Sequence, residues 1–487
     1  WFGQIISELG DWLNSIAIYA LILKISGSGM AMAVVMMAKL LPIVVVSPIA
    51  GVVVDRVSRK KIMILMDIFR FFVVLGFLLV EDSNDLWLLY ALIVIEISFG
   101  GFFEPARSAI IPSLVKRTDL VVANAISGST WSVMLSFGAA VGGLVVALLG
   151  IRTAFIIDAI SFLISGWFIS RISADAVEEK DSNSDGNNGF SDLFDGIRYL
   201  LSEPIILALA LLKSGLAIAG GIMTLIPLYS YNFGKSASSI SIGIGIMYSS
   251  RGIGAAIGPI LIKKIFGDSP KVLQNAIIAG FFLGTIAYYL FSQSYSLFYS
   301  SLSIGLATMC GSVVWVFSTA LLHIEANKEY LGRIFSAEMA FLTLMMGFSN
   351  FGVGWFTDKI GLSPQEVAFG IAVLFMIPGC LWFVFLIYVR QRIKQGKWTG
   401  SVSFINSKDI ALVNIPLQQG FDIGTLVTDL KTEEREDNNV TKASVEWIRK
   451  EIIGKAIDFH KNINFLMSKQ YYHHVGIYSF RYETLKK

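Results

Sequence analysis

Ten ionisable side chains interrupt stretches of this 487-residue sequence that are otherwise apolar: Glu8, Asp11, Lys39, Asp67, Arg70, Glu96, Asp158, Lys213, Arg251 and Glu338. A charge at the centre of a membrane helix costs about 2.5–3.5 kcal/mol on insertion scales, so each needs a partner, a wet cavity or a role. The chemistry open to such groups is proton binding and release. Glu8 and Asp11, at i and i+3, share one helical face, and Lys39 lies in the next apolar stretch. These three are expected to line a cavity, with Asp11, helped by Glu8, carrying a coupling proton. Burial and a nearby ammonium would act on its proton affinity in opposite directions. The alternative is a Lys39–carboxylate pair that only fixes packing. Glu96 and Glu338 are the next candidates for the proton, and Arg251, beside Gly252 and Gly254, is a candidate for the cavity. Asp67 and Arg70, three residues apart, read as a structural pair. Lys213, near the end of its stretch, can snorkel to the interface.

Other chemistries find little support. Cys310 and Cys380 both sit in apolar runs, so no disulfide framework is implied, and the four histidines fit no zinc spacing. No nucleophile constellation or phosphate-binding glycine loop occurs, so neither an enzyme nor direct use of ATP is expected. No cofactor, nucleotide or nucleic-acid partner is implied.

The elements that must position these charges follow from composition. Hydrophobic residues make up 54% of the chain and charged ones 15%, against roughly 25% charged in soluble domains; the mean hydropathy is +0.66. Span-length apolar runs predict helices at 1–25, 30–53, 62–80, 86–110, 121–149 and 153–172, then at 205–232, 239–265, 273–292, 295–321, 336–357 and 365–389. The expected fold is therefore an all-α polytopic membrane protein with two sets of six helices, 1–172 and 205–390. A polar linker at 173–204 carries a short surface helix at Phe190–Leu201. Ser47-Pro48-Ile49-Ala50-Gly51 in the first set and Ala255-Ala256-Ile257-Gly258-Pro259 in the second lie in matching places, as a duplication would leave them. Trp1 already falls inside a helical pattern, so the start is read as a truncation. In the tail, 391–487, Ser401–Pro416 alternates like a strand and Lys442–His460 reads as an amphipathic helix, with no ligand motif.

Basic residues set the expected sidedness. Fourteen (Arg56, Arg59, Lys60, Lys61, Lys116, Arg117, Arg171, Lys180, Arg198, Lys263, Lys264, Lys271, Lys328, Arg333) flank one side, against Arg152, Lys235 and Lys359 on the other. Both ends of the bundle, the linker and the tail are then cytoplasmic. Trp87, Trp167, Tyr288 and Tyr289 read as interfacial anchors.

The sharpest motif is Gly51-Val-Val-Val-Asp55-Arg56-Val-Ser58-Arg59-Lys60-Lys61 between the second and third helices. It resembles the signature loop of the major facilitator superfamily, G-x-x-x-D-R-x-G-R-[RK], with Ser58 in place of the second glycine. Gly51 would let the second helix approach a neighbour closely. Asp55, Arg56, Arg59 and Lys60, with Glu104 and Arg107 at the same depth, would form a cytoplasmic gate. Phe102-Phe103-Glu104-Pro105-Ala106-Arg107, Ile156-Ile157-Asp158-Ala159-Ile160-Ser161-Phe162 and Leu331-Gly332-Arg333-Ile334-Phe335-Ser336 look like the branch of enterobactin-type siderophore exporters and macrolide efflux pumps. The resemblance covers roughly 1–390. It implies a secondary exporter of an amphipathic, siderophore- or drug-like molecule, driven by proton exchange through alternating access. Two features depart from the family: Glu96 occupies the region where many proton-coupled members carry an arginine, and Gly138–Gly143 lacks the exporters' proline. An importer, uniporter or lysolipid flippase on the same fold stays open, as does a membrane anchor whose tail is the working part. The resemblance implies a bacterial inner membrane; a plastid envelope, with the basic side stromal, is the alternative.

Overall fold

The computed structural model describes residues 1–172, 198, 200, 201, 203–267, 269–326 and 330–394, and four strands of the tail. Twelve helices among the described residues are long and apolar enough to cross a membrane. They are α1 (Phe2–Ser26), α2 (Gly29–Arg56), α3 (Arg59–Gly76), α4 (Leu86–Leu114), α5 (Leu120–Leu149) and α6 (Ile151–Ser170), then α7 (Pro204–Phe233), α8 (Ala237–Phe266), α9 (Pro270–Ser292), α10 (Leu297–Glu325), α11 (Leu331–Trp355) and α12 (Pro364–Lys394). Each falls on one of the predicted runs, because a segment in lipid must satisfy its backbone internally and only a helix does so. The protein is a multi-pass integral membrane protein. The surface helix expected at Phe190–Leu201 and the linker that carries it lie almost entirely outside the described residues.

Residues Trp1–Trp382 form one compact unit. Within the first six helices α1 packs on α5 and α6, α2 on α4, and α3 on α4 and α6. Within the last six, α10 packs against α7, α8 and α9, and α7 against α11. The two sets meet chiefly through α5 with α8 and α2 with α11.

Glycines set the closeness of the first contact. A Cβ built at Gly143 would stand 2.7 Å from the Ser241 carbonyl oxygen, and one at Gly245 would stand 2.8 Å from that of Ala139. Backbone therefore packs on backbone, as small residues allow between membrane helices. In α7 a 3-10 turn at Ile218–Gly221 breaks the helix. There the Gly221 N–H donates to Ser349 Oγ at 2.9 Å and the Ser349 hydroxyl donates to the Ile218 carbonyl, so α11 satisfies the groups the break frees.

The second unit, Phe383–Lys487, contains an antiparallel sheet: β1 (Ile423–Asp429), β2 (Lys442–Arg449), β3 (Ile453–His460) and β4 (Tyr471–Phe480), in the order β1-β4-β2-β3. The helix expected over Lys442–His460 is thus a β2–β3 hairpin. Its apolar positions Ala443, Val445 and Trp447 recur with period two, the strand period rather than the helical one. The strand expected at Ser401–Pro416 lies outside the described residues.

Candidate functional site

The first six helices hold a cluster of charges at mid-depth. Asp11 of α1 pairs with Arg70 of α3 at 2.5 Å. Arg70 also lies over the Phe162 ring of α6, 3.9 Å from its centroid, and interacts electrostatically with Glu96, Asp67 and Asp158 as well as Asp11. Asn14 of α1 donates to Glu96 of α4 at 2.8 Å. Ser161 donates to Asp158, both on α6, at 3.3 Å. The Lys39 ammonium donates to Ser15 Oγ at 2.6 Å, stands 5.4 Å from the Tyr19 ring centroid and interacts electrostatically with Glu96, Asp11 and Asp158. Asp67, Arg70, Glu96 and Asp158 are buried, whereas the Asp11 side chain is 38% exposed. Among the carboxylates of the cluster, Asp11 is the one that reaches open space.

Two expectations are corrected here. Arg70 pairs with Asp11 and not with Asp67: its long stem carries the guanidinium across to α1, while Asp67 stays beside α6 near Gly166. Lys39 forms no ion pair within 4 Å among the described residues; it meets a hydroxyl and a ring instead. Glu8, expected to act with Asp11, accepts from Gln4 at 2.8 Å one turn away and keeps its other oxygen unpartnered. Asp158, given no particular role by the sequence beyond being a charge within a span, joins the cluster. A Cβ at Gly10 would collide with Asp158 and Ser161, so the glycine is what admits this carboxylate to the α1–α6 contact. The visible signal was an acid in mid-span; that it faces Gly10 shows only in the structure.

The last six helices arrange their charges differently. Lys213 of α7 pairs with Glu338 of α11 at 2.7 Å, with side chains 4% and 0% exposed. The ammonium also faces the Trp315 and Phe335 rings. Lys213 therefore does not snorkel; a buried carboxylate and two rings hold it inside. Glu338 is engaged rather than lining open space. Arg251, half-buried on α8, lies 5.2 Å from the Tyr248 ring centroid. Tyr248 in turn stacks on Tyr19 at 6.3 Å and meets Trp12 edge-on at 5.6 Å, joining the two sets of helices through aromatic rings. Tyr288, expected as an interfacial anchor, is instead buried against Phe375, whereas Trp87, Trp167 and Tyr289 are exposed.

The Gly51–Lys61 motif works within the first set. Arg59 donates to the Ala109 carbonyl on α4 at 2.9 Å, and Lys60 to the carbonyls of Ser170 and Ile172 at the end of α6 at 2.8 and 2.6 Å. Arg56 is exposed. Arg107 pairs with Glu104 at 2.6 Å and donates to Ser127 of α5. The side chain of Asp55 lies outside the described residues. Gly51 is not in close approach: a Cβ there would find nothing within 4 Å, because its face of α2 is open. The far end of the bundle is tied instead. Asp358, just after α11, accepts from the Ser28 hydroxyl at 2.5 Å and from the Gly29 and Met30 N–H groups at 2.9 and 3.0 Å, capturing the α2 N-terminus. Ser238 of α8 donates to the Ala147 carbonyl of α5 at 2.9 Å on the same side. Nothing in the sequence links Asp358 to a turn 330 residues earlier.

The family profile of the Major Facilitator Superfamily matches residues 1–349. The chain belongs to that superfamily. It is 26% identical over 351 residues to a putative bacilysin exporter of Bacillus subtilis, covering 72% of this chain and 86% of that protein. It is 25% identical over 381 residues to macrolide efflux protein A of Streptococcus pyogenes, covering 77% and 92%. Its fold matches the inward-facing, occupied structure of a bacterial homologue of the human lysosomal transporter Spinster with a TM-score of 0.61, at 13% identity over 79% of this chain and 95% of the other. This superfamily member is a transporter, with bonds between its helix sets at the end remote from the signature loop and an open face beside Gly51.

Proposed function

We propose that the protein is a proton-coupled exporter of an amphipathic, siderophore- or drug-like molecule, working by alternating access. One observation carries the reading. Among the described residues, Asp11, Asp67, Glu96 and Asp158 share a site with two cations, Lys39 and Arg70, and one of the four carboxylates, Asp11, reaches open space. Four carboxylates cannot all stay ionised beside two cations away from water, so protons must make up part of the balance. Asp11 is the entry point. When it takes a proton it releases Arg70, which then serves Asp67, Glu96 or Asp158; when it loses the proton it recaptures the guanidinium. That exchange gives a buried site two discrete arrangements. Coupling needs only that substrate and proton favour different ones, by a few kcal/mol.

The relatives named as exporters support the outward direction. The basic-residue count supports a cytoplasmic location for the 54–61 loop, the linker and the tail. On that orientation the ties through Asp358 and Ser238 close the outer side. Residues Gly51, Arg56, Glu104 and Arg107 lie on the side that opens inward and would close in the other state. The test is transport by the purified full chain in proteoliposomes with an imposed pH gradient, screened against siderophores, macrolides and lysolipids. Accumulation in the proteoliposomes that collapses when the gradient is dissipated is the expected result. Transport indifferent to the gradient would refute proton coupling.

A further inference from the structure

Arg251 differs from every other cation at mid-depth. Arg70 lies among four carboxylates and Lys39 among three of them, and Lys213 has Glu338. Arg251 has no carboxylate within 4 Å among the described residues. Its own half cannot supply one: α7, α8 and α9 contain no Asp or Glu, and those of α10–α12 are Glu325 and Glu366 near helix ends and Glu338, which Lys213 holds. Lipid cannot supply one either. Arg251 stands fourteen residues from Ala237 and fifteen from Phe266, about 20 Å along the helix from either end, too deep for a headgroup phosphate. A guanidinium left uncompensated at this depth is costly, and the Tyr248 ring 5.2 Å away offsets only a small part of that. Its place is fixed by close helix contact: Cβ atoms at Gly252 and Gly254, just after it, would run into Ser136 of α5 and Gly305 of α10. It is therefore held half-buried where the two sets of helices meet, beside the Tyr248–Tyr19–Trp12 rings.

We propose that Arg251 receives a carboxylate or similar anionic group of the transported molecule, whose apolar part lies toward Tyr248 and Trp12. The planar fork of donors suits a carboxylate bound in bidentate fashion, and the rings supply the apolar neighbour that an amphipathic molecule needs. The proposal rests on the transporter reading above and gives its site a substrate class: amphipathic molecules with an anionic group.

The test uses two matched fluorescent probes, dansyl-glycine, which ends in a carboxylate, and dansyl-glycinamide, which ends in a neutral amide. They are titrated onto the purified full chain in lipid nanodiscs. Wild type should bind the carboxylate probe about tenfold more tightly than the amide, the ratio that one charge-assisted hydrogen-bonded contact gives. Arg251→Gln should bring the ratio to about one with the amide affinity unchanged, and Arg251→Lys should leave an intermediate ratio. No binding of dansyl-glycine by wild type, equal binding of both probes, or a preference that survives Arg251→Gln would overturn the proposal. Should the Gln variant fail to fold, the Lys variant decides, an undiminished ratio counting against it. No pH gradient is present, so failure here bears on Arg251 alone, whereas failure of the proton reading shows only in gradient-driven transport.

Discussion

Lys213 and Glu338 sit 2.7 Å apart with almost no exposure, and the energetics of such a pair are lopsided. Removing one partner leaves the other as an unpaired buried charge, at a cost of about 3–5 kcal/mol, whereas replacing both by apolar groups is often nearly neutral. Lys213→Met should therefore lower the thermal unfolding midpoint markedly, and Lys213→Met with Glu338→Leu should restore most of it. A double substitution as unstable as the single one would show that the pair contributes more than mutual neutralisation. Sequence alone showed both residues as charges in apolar runs but not that they meet. Which carboxylate finds which cation depends on helix neighbours, and i, i+3 spacing is a poor guide when a long side chain can cross to another helix. That is why Arg70 was matched with Asp67 when Asp11 holds it.

At the scale of elements, the α5–α8 contact is backbone against backbone at Gly143 and Gly245. Gly245→Val must push the helices apart or twist one of them, at roughly 1–3 kcal/mol for overpacking. A lower unfolding midpoint, with faster thiol labelling at an introduced Ser238→Cys, is expected; an unchanged midpoint and labelling rate would contradict the close contact. Asp358 makes three hydrogen bonds to the start of α2, so Asp358→Ala should loosen that end and speed labelling at an introduced Met30→Cys. The twelve helices were legible because twenty apolar residues in lipid leave few alternatives. The α7 break was not, since Gly220-Gly221 is harmless in many membrane helices and becomes a break here only with Ser349 of α11 there to receive it. The tail hairpin was not legible, because a short amphipathic stretch fits either period and its pairing into β2 and β3 depends on contacts the pattern does not carry.

At the scale of the whole molecule, transport depends on sidedness and on coupling. With basic residues inside, a cysteine introduced as Asp185→Cys should be labelled by an impermeant thiol reagent only after intact cells are permeabilised. Labelling from outside would invert the topology and turn the proposed exporter round. Coupling is the central claim, and Asp11 is where it is most exposed to test. Asn at this position keeps the size of the side chain and its ability to accept from Arg70 but cannot take up or lose a proton. The decisive measurement is transport of one identified substrate by Asp11→Asn in proteoliposomes, with and without an imposed pH gradient. The account predicts that the variant still binds substrate and equilibrates it down its own gradient, yet no longer accumulates it when the pH gradient is applied. Accumulation against the substrate gradient by Asp11→Asn, driven by pH as in wild type, would contradict it.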